Sequence, residues 1–211
     1  MRPGQECTKA EFSEMGLPNQ TTIVLQTTRF YLRPVRQEDA RLLFELDSDP
    51  EVMRFISKGE PTPMNKIEDV ILPKMLGYYR HWPPLGFWAA HLLSHEEFIG
   101  WFHLRPDKID TNEIELGYRL KRNAWGKGLA TEGSRAIVEA AFGKWGYPKI
   151  SARTLIINTP SRRVMEKSGL RFEKEFLWGA EVLPDWTEEE RRGVKYSLTQ
   201  RAWQAANESR P

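Results

Sequence analysis

The sequence predicts a single α/β domain on a mixed sheet with helices on both faces, and three observations carry that prediction. Residues Glu113-Ile114-Glu115-Leu116-Gly117-Tyr118-Arg119-Leu120 alternate strictly, Ile114, Leu116, Tyr118 and Leu120 sharing one face and Glu113, Glu115, Gly117 and Arg119 the other. A loop carrying Gly126 and Gly128 follows, and a helical pattern over 129–145 begins at once, with Ala130, Gly133, Ala136, Ile137, Ala140 and Ala141 on one broad apolar face. Two strand-like runs, 87–93 and 98–104, joined by Ser94-His95-Glu96-Glu97, read as an antiparallel hairpin. With 211 residues, one domain and one core are expected, burying roughly 70–75% of the unfolded surface.

The remaining elements follow in chain order. Residues 1–22 show no periodicity and carry Pro3, Gly4, Gly16 and Pro18, so a mobile arm or a docked segment is expected before a domain spanning 23–200. Residues 23–33 alternate as a strand that Pro34 stops. Ala40, Leu42, Leu43 and Leu46 stand at helical spacing, and Asp49-Pro50 supplies an N-cap and a first-turn proline for a second short helix to Ile56. Residues 58–63 read as a linker, and 65–80 as an amphipathic helix interrupted at Pro73. Gly146-Tyr147-Pro148 ends the long helix, 149–157 is a strand, and Thr159-Pro160 opens a short helix that finishes at Gly169. Strands are expected at 170–176 and 193–199, joined by the charged connection 184–192, with a short helix and frayed tail over 201–211.

Composition excludes several classes. Lys plus Arg minus Asp plus Glu is 31 − 29 = +2, which argues against general nucleic-acid binding and makes any basic cluster a local feature. Runs of about 18 apolar residues and an apolar signal core are both absent, so no membrane association and a cytoplasmic location are expected. Cys7 is the single cysteine, which rules out an internal disulfide framework or a cysteine zinc site. The four histidines, His81, His91, His95 and His103, show no metal spacing and read as ordinary loop and strand residues, so no metal is expected.

Between Glu115 and Glu132 the chain has no acid, while Arg119, Lys121, Arg122 and Lys127 crowd the glycine loop. Backbone N–H groups at such a turn converge on a helix N-terminus carrying roughly +0.5 elementary charge. A cation cluster there is unfavourable without an anion, so a bound polyphosphate is expected. The mononucleotide pattern GxxxxGK[ST] does not occur. The dinucleotide pattern GxGxxG fails because Gly126-Lys127-Gly128 continues as Leu129-Ala130-Thr131, leaving a nicotinamide-dependent oxidoreductase far behind.

The loop resembles the acyl-CoA motif Gln/Arg-x-x-Gly-x-Gly/Ala of the GNAT superfamily of N-acyltransferases, matched by Asn123, Gly126 and Gly128, with Asn replacing Gln or Arg. Together, Trp125-Gly126-Lys127-Gly128-Leu129-Ala130-Thr131-Glu132 and the run from Asn158-Thr159-Pro160-Ser161 to Gly169-Leu170 resemble the branch containing ribosomal-protein N-terminal acetyltransferases, in order from about Thr28 to about Phe176. The resemblance implies a twisted, mostly antiparallel sheet of about six to seven strands, splayed in the middle to admit pantetheine. It implies acetyl-CoA as cosubstrate, with Leu120, Asn123, Trp125, Gly126, Lys127, Gly128, Leu129, Ala130, Thr131, Asn158 and Arg163 as its contacts. The acceptor it implies is an amine, on a peptide N-terminus or a small molecule, and the protein a monomer or homodimer.

Acetyl transfer to an amine needs a neutral amine, a donor for the developing oxyanion and a proton for the departing thiolate. An α-amine titrates near ~7.7–8.0 and needs mild base assistance; a lysine amine near ~10.4 needs more. Glu113 and Glu115 are the candidate bases, since their face is polar in a strand expected to be central; distance to the glycine loop favours Glu113. Gly117 fits a bulge whose free N–H faces the thioester. Ser161 is the candidate acid by resemblance, the alternative being a hydroxyl that satisfies a helix-start N–H. Arg162 and Arg163 answer the coenzyme 3′-phosphate or are simply solvated. Trp82, Phe87, Trp88, Trp101 and Trp178 are candidates for an aromatic acceptor cleft. Without a recognisable covalent nucleophile, direct attack in a ternary complex is the leading expectation, and a non-catalytic acyl-CoA-binding sensor of the same fold the alternative.

Overall fold

The computed structural model describes residues 23–107 and 113–208, so the expected arm 1–22 and residues 108–112 and 209–211 lie outside it. The described residues form one eight-stranded sheet in the order β1-β2-β3-β4-β5-β6-β8-β7. Its strands are β1 Leu25–Gln26, β2 Phe30–Pro34, β3 Gly86–Leu92, β4 Phe98–Pro106, β5 Ile114–Leu120, β6 Lys149–Leu155, β7 Arg171–Leu177 and β8 Arg192–Thr199. All neighbours are antiparallel except β5 and β6. The strand beyond the expected count is β1. The run 23–33 does not continue straight, because Thr27 donates both its N–H and its Oγ1 hydroxyl to the Phe30 carbonyl at 2.8 Å and folds the segment into a hairpin.

Helices α1 Ala40–Asp47 and α2 Pro50–Ser57 fall as the pattern predicts. Asp49 caps α2, its Oδ1 accepting the Glu51 N–H at 3.0 Å, a bond of the kind that contributes about 1 kcal/mol. The next helix, α3 at 64–81, is not broken at Pro73. A wider π turn over Ile67–Ile71 precedes Leu72–His81 and absorbs the hydrogen bond that proline cannot donate, so the helix runs on. The other helices are α4 Leu129–Glu139, prolonged by a π turn Ala140–Lys144, α5 Thr159–Lys167 and α6 Gln200–Glu208.

The two helical layers bury different faces of the sheet. Phe30, Leu32, Trp88, Phe102, Leu104, Leu116, Leu120 and Tyr196 pack with Leu129, Ile137, Val138 and Phe142 of α4 and its extension, and with Met165 of α5. A Cβ at Gly133 would overlap the rings of Phe102 and Phe30, so the small residue sets how closely α4 approaches. On the other face, Ala89, Phe98 and Trp101 pack with Leu43, Leu46, Val52, Ile67, Leu72 and Met75 from α1, α2 and α3.

Candidate active site

β5 and β6 pair at only two rungs, Ile114 with Ile150 and Glu115 with Ser151. β5 stays paired to β4 as far as Leu120, and β6 to β8 as far as Leu155, so the parallel neighbours part and leave a gap that widens towards the glycine loop. The expected bulge at Gly117 is not found: the β4–β5 register runs unbroken from Gly100 opposite Leu120 to Pro106 opposite Ile114. A Cβ there would overlap Nε2 of His103 on the facing strand, so the imidazole lies against the strand where Gly117 has no side chain.

At the open end of the gap the chain makes a short 3-10 turn, Arg122–Ala124, then passes Gly126 (φ 72°) and Gly128 (φ 76°) in the left-handed region before α4 starts. The first backbone bond into α4 runs from the Glu132 N–H to the Gly128 carbonyl at 3.0 Å. The N–H groups of Leu129, Ala130 and Thr131 therefore have no partner within the helix, and together with the helix dipole they form a seat for an anion. Buried Leu129 anchors the helix start in the core. Trp125 is half exposed, but its Nε1–H donates to the Leu120 carbonyl at 2.8 Å, folding the indole back on the strand end. The Asn123 amide donates to Glu97 Oε1 of the β3–β4 hairpin at 2.8 Å, so this side chain braces the loop from outside.

A second brace was not visible in the sequence. Arg29, at the start of β2, donates from Nε to Glu132 Oε2 at 2.6 Å and from Nη1 to the Lys127 carbonyl at 2.7 Å, and its backbone N–H donates to Glu132 Oε1 at 3.1 Å. Burial raises the Glu132 carboxyl, and hydrogen bonds from Thr27 and Arg29 outweigh it, holding the group below its ordinary range.

Three of the four loop cations are answered by protein acids, so these three charges do not by themselves call for a polyphosphate. Arg119 pairs with Asp47 at 2.5 Å, Lys121 with Glu45 at 3.5 Å and Arg122 with Asp49 at 2.7 Å. All three acids come from the end of α1 and the cap of α2, so the case for an anion site now rests on backbone amides and exposed Lys127.

Neither candidate base stands as an unattached carboxylate at the open end. Glu113 lies at the paired end of the gap and contacts Lys149 Nζ at 2.6 Å and Lys195 Nζ at 2.8 Å. Burial raises the Glu113 carboxyl, but the two ammonium groups more than offset this and hold it below its usual range. Glu173 closes the cluster at 3.0 Å from Lys149 and 3.1 Å from Lys195; burial raises its carboxyl, but Ser197 and the two ammonium groups pull it down to about 2. Glu115 is buried in an ion pair with Arg105 Nη2. A neighbouring cation favours the charged carboxylate and makes it a poorer base.

Across the gap, α5 is capped by Asn158, whose Oδ1 accepts the Ser161 N–H at 3.2 Å. Asn158 thus performs the capping considered for Ser161. The Ser161 side chain faces Tyr118 of β5; burial raises the Tyr118 hydroxyl and Ser161 partly opposes the rise. Arg162 reaches back to the Ile156 carbonyl at 3.1 Å and to the Tyr196 hydroxyl at 3.3 Å, while Arg163 is exposed on the same turn.

The aromatic candidates separate. Trp88 is a core residue on the α4 face, beside Trp145 at 5.8 Å, and does not belong to an acceptor cleft. Trp82 is half exposed and Trp178 packs edge-on to Phe176 at 4.9 Å, whereas Phe87 and Trp101 enclose His103 at 4.9 and 5.7 Å on the face opposite α4. Among the described residues no cluster of three or more His, Cys, Asp or Glu could hold a metal ion, and no helix is long and apolar enough to cross a membrane.

Known proteins share this fold. The acetyltransferase (GNAT) domain family matches residues 29–171. The FsC-acetyl coenzyme A-N(2)-transacetylase of Aspergillus fumigatus is 31% identical over 186 residues, covering 85% of this chain and 77% of the relative. An acetyltransferase of the GNAT family from Bacillus anthracis superposes with a TM-score of 0.69 at 22% identity, over 84% of this chain and 98% of that one. A putative ribosomal-protein-serine acetyltransferase from Vibrio cholerae gives 0.66 at 14% identity, over 85% and 99%; these two likenesses concern the fold.

Proposed function

The chain belongs to the GNAT acetyltransferase family, and from that premise we propose that it moves an acetyl group from acetyl-CoA to a primary amine by direct attack in a ternary complex. The observation that carries this reading is the alignment of the anion seat at 126–131 with the widening end of the β5–β6 gap. A diphosphate on the amides sends the pantetheine arm into the gap, where β5 backbone N–H groups are available to the thioester oxygen. Exposed Arg163 and Lys127 serve the outer phosphates. Ser161, facing Tyr118 across the gap, supplies the proton for the departing sulfur.

For the acceptor, the relative from Aspergillus fumigatus is named for transfer to an N(2) nitrogen. Amines on small molecules and peptide α-amines are both tested as acceptors. With a pKa near ~8, a peptide α-amine has a sizeable neutral fraction at neutral pH and asks little of a base. The test is thiol release from acetyl-CoA in the presence of free amino acids, polyamines and short peptides. Release with one amine class supports the reading; binding of acetyl-CoA without release under any of them replaces it with the non-catalytic sensor.

A further inference from the structure

Resting on the acetyl-transfer reading above, we infer that His103 is the group that takes the proton from the attacking amine. His103 is on β4, opposite Gly117 of β5, and its Nε2 occupies the space a Cβ would fill there. Gly117 is two residues past the last β5–β6 rung, Glu115 with Ser151, so the imidazole sits where the sheet begins to open. It lies on the face opposite α4, leaving the Tyr118–Ser161 contact on the other side of β5. An acid and a base on opposite sides of one strand suit a reaction that removes a proton from nitrogen and delivers one to sulfur.

The neighbouring carboxylates support this choice by elimination. Glu115 is held by Arg105, Asp47 by Arg119, Asp107 by Arg153, and Glu113 by two lysines. An imidazole can accept a proton at one ring nitrogen while donating from the other, the capacity a base for an amine needs. The groups facing His103 are Phe87 from β3, with Tyr78 of α3 behind it, Trp101 and Arg105 along β4, and Glu115 and Arg119 from β5 on either side of Gly117. The flanking charges come as ion pairs of opposite sign.

In the step itself, the amine lone pair forms the C–N bond to the thioester carbonyl carbon and one N–H proton passes to His103. The C–S bond breaks with its electron pair on sulfur, the thiolate takes a proton from Ser161, and exchange with water restores both side chains. One proton leaves nitrogen and one reaches sulfur, so no other reactant is needed.

The test measures kcat/KM against pH for His103→Gln, His103→Phe and Gly117→Ala, with acetyl-CoA affinity measured alongside by calorimetry. Both His103 variants are expected to lose about 100-fold in kcat/KM together with any acid-side inflection beyond the one set by the acceptor amine's own ionisation, at unchanged acetyl-CoA affinity. Gly117→Ala keeps the imidazole but displaces it, and should lose about tenfold. A normal rate and an unchanged acid-side profile in either His103 variant would overturn the inference. Should neither His103 variant fold, an unaltered Gly117→Ala profile would overturn it instead. A wild-type protein that releases no thiol with any amine would defeat the acetyl-transfer reading itself, an outcome distinct from active wild type with indifferent variants.

Discussion

The two ends of β5 differ as sharply as any two regions of the molecule. At its start the strand is paired on both sides, and Glu113 lies in a cluster with Lys149, Lys195 and Glu173. At its far end the β6 neighbour is gone, the charges are paired with α1 and the α2 cap, and the chain turns through two left-handed glycines into α4. The charged end gains its order from side chains and has little left to offer a ligand. The opening end leaves backbone groups unsatisfied, and those are the groups that an anionic coenzyme can use. Acids on a central strand are thus poor guides to chemistry once burial supplies them with cations.

The comparison predicts effects that separate the two ends. Lys195→Met removes a buried ammonium from between two carboxylates and should cost about 3 kcal/mol of stability, read as a lower denaturant midpoint, with coenzyme affinity kept. A loss of affinity without a loss of stability would merge the two ends functionally. Gly128→Val forces a β-branched residue into a left-handed conformation at the anion seat. It should weaken acetyl-CoA binding by about 1–3 kcal/mol, roughly 5- to 150-fold by calorimetry, and unaltered binding would contradict the amide account. Arg29→Ala removes the brace between β2 and the loop, and about fivefold weaker coenzyme binding is expected, close to 1 kcal/mol. Arg122→Gln should change coenzyme affinity less than about twofold, because its partner is Asp49 at a solvent-exposed pair. A tenfold effect there would restore the guanidinium to the phosphate site.

Acid titration tests the charged end in another way. The Glu173 carboxyl lies at about 2 in the folded protein against an ordinary 4.5, so its contribution to stability is complete above about pH 4.5 and is lost as pH falls towards 2. Glu113 is shifted in the same direction. In Lys195→Met, midpoints measured between pH 6 and about 3 should therefore fall less steeply than in the wild type. Parallel slopes would remove the cluster from the account.

How much of this the sequence disclosed depends on whether the cause was local. The Asp49-Pro50 cap, the 113–120 alternation and the Gly126 and Gly128 turn are written in neighbouring residues, and their positions were legible. The pairing of Arg119, Lys121 and Arg122 was not, because Glu45, Asp47 and Asp49 meet them only through tertiary packing. Gly117 was visible as an anomaly in a strand, but what lies against it, the imidazole of His103, stands on a different strand. The continuation of α3 through Pro73 depends on a π turn that periodicity does not reveal. Trp88 was grouped with Phe87 although alternation along β3 sends them to opposite faces, a signal that was present and could have been used.

Amide hydrogen exchange with and without saturating acetyl-CoA addresses the anion seat most directly. The account predicts slowed exchange at residues 126–131 and little change at Glu113 and Glu115. Unchanged exchange across 126–131 in a sample with demonstrated coenzyme binding would contradict it.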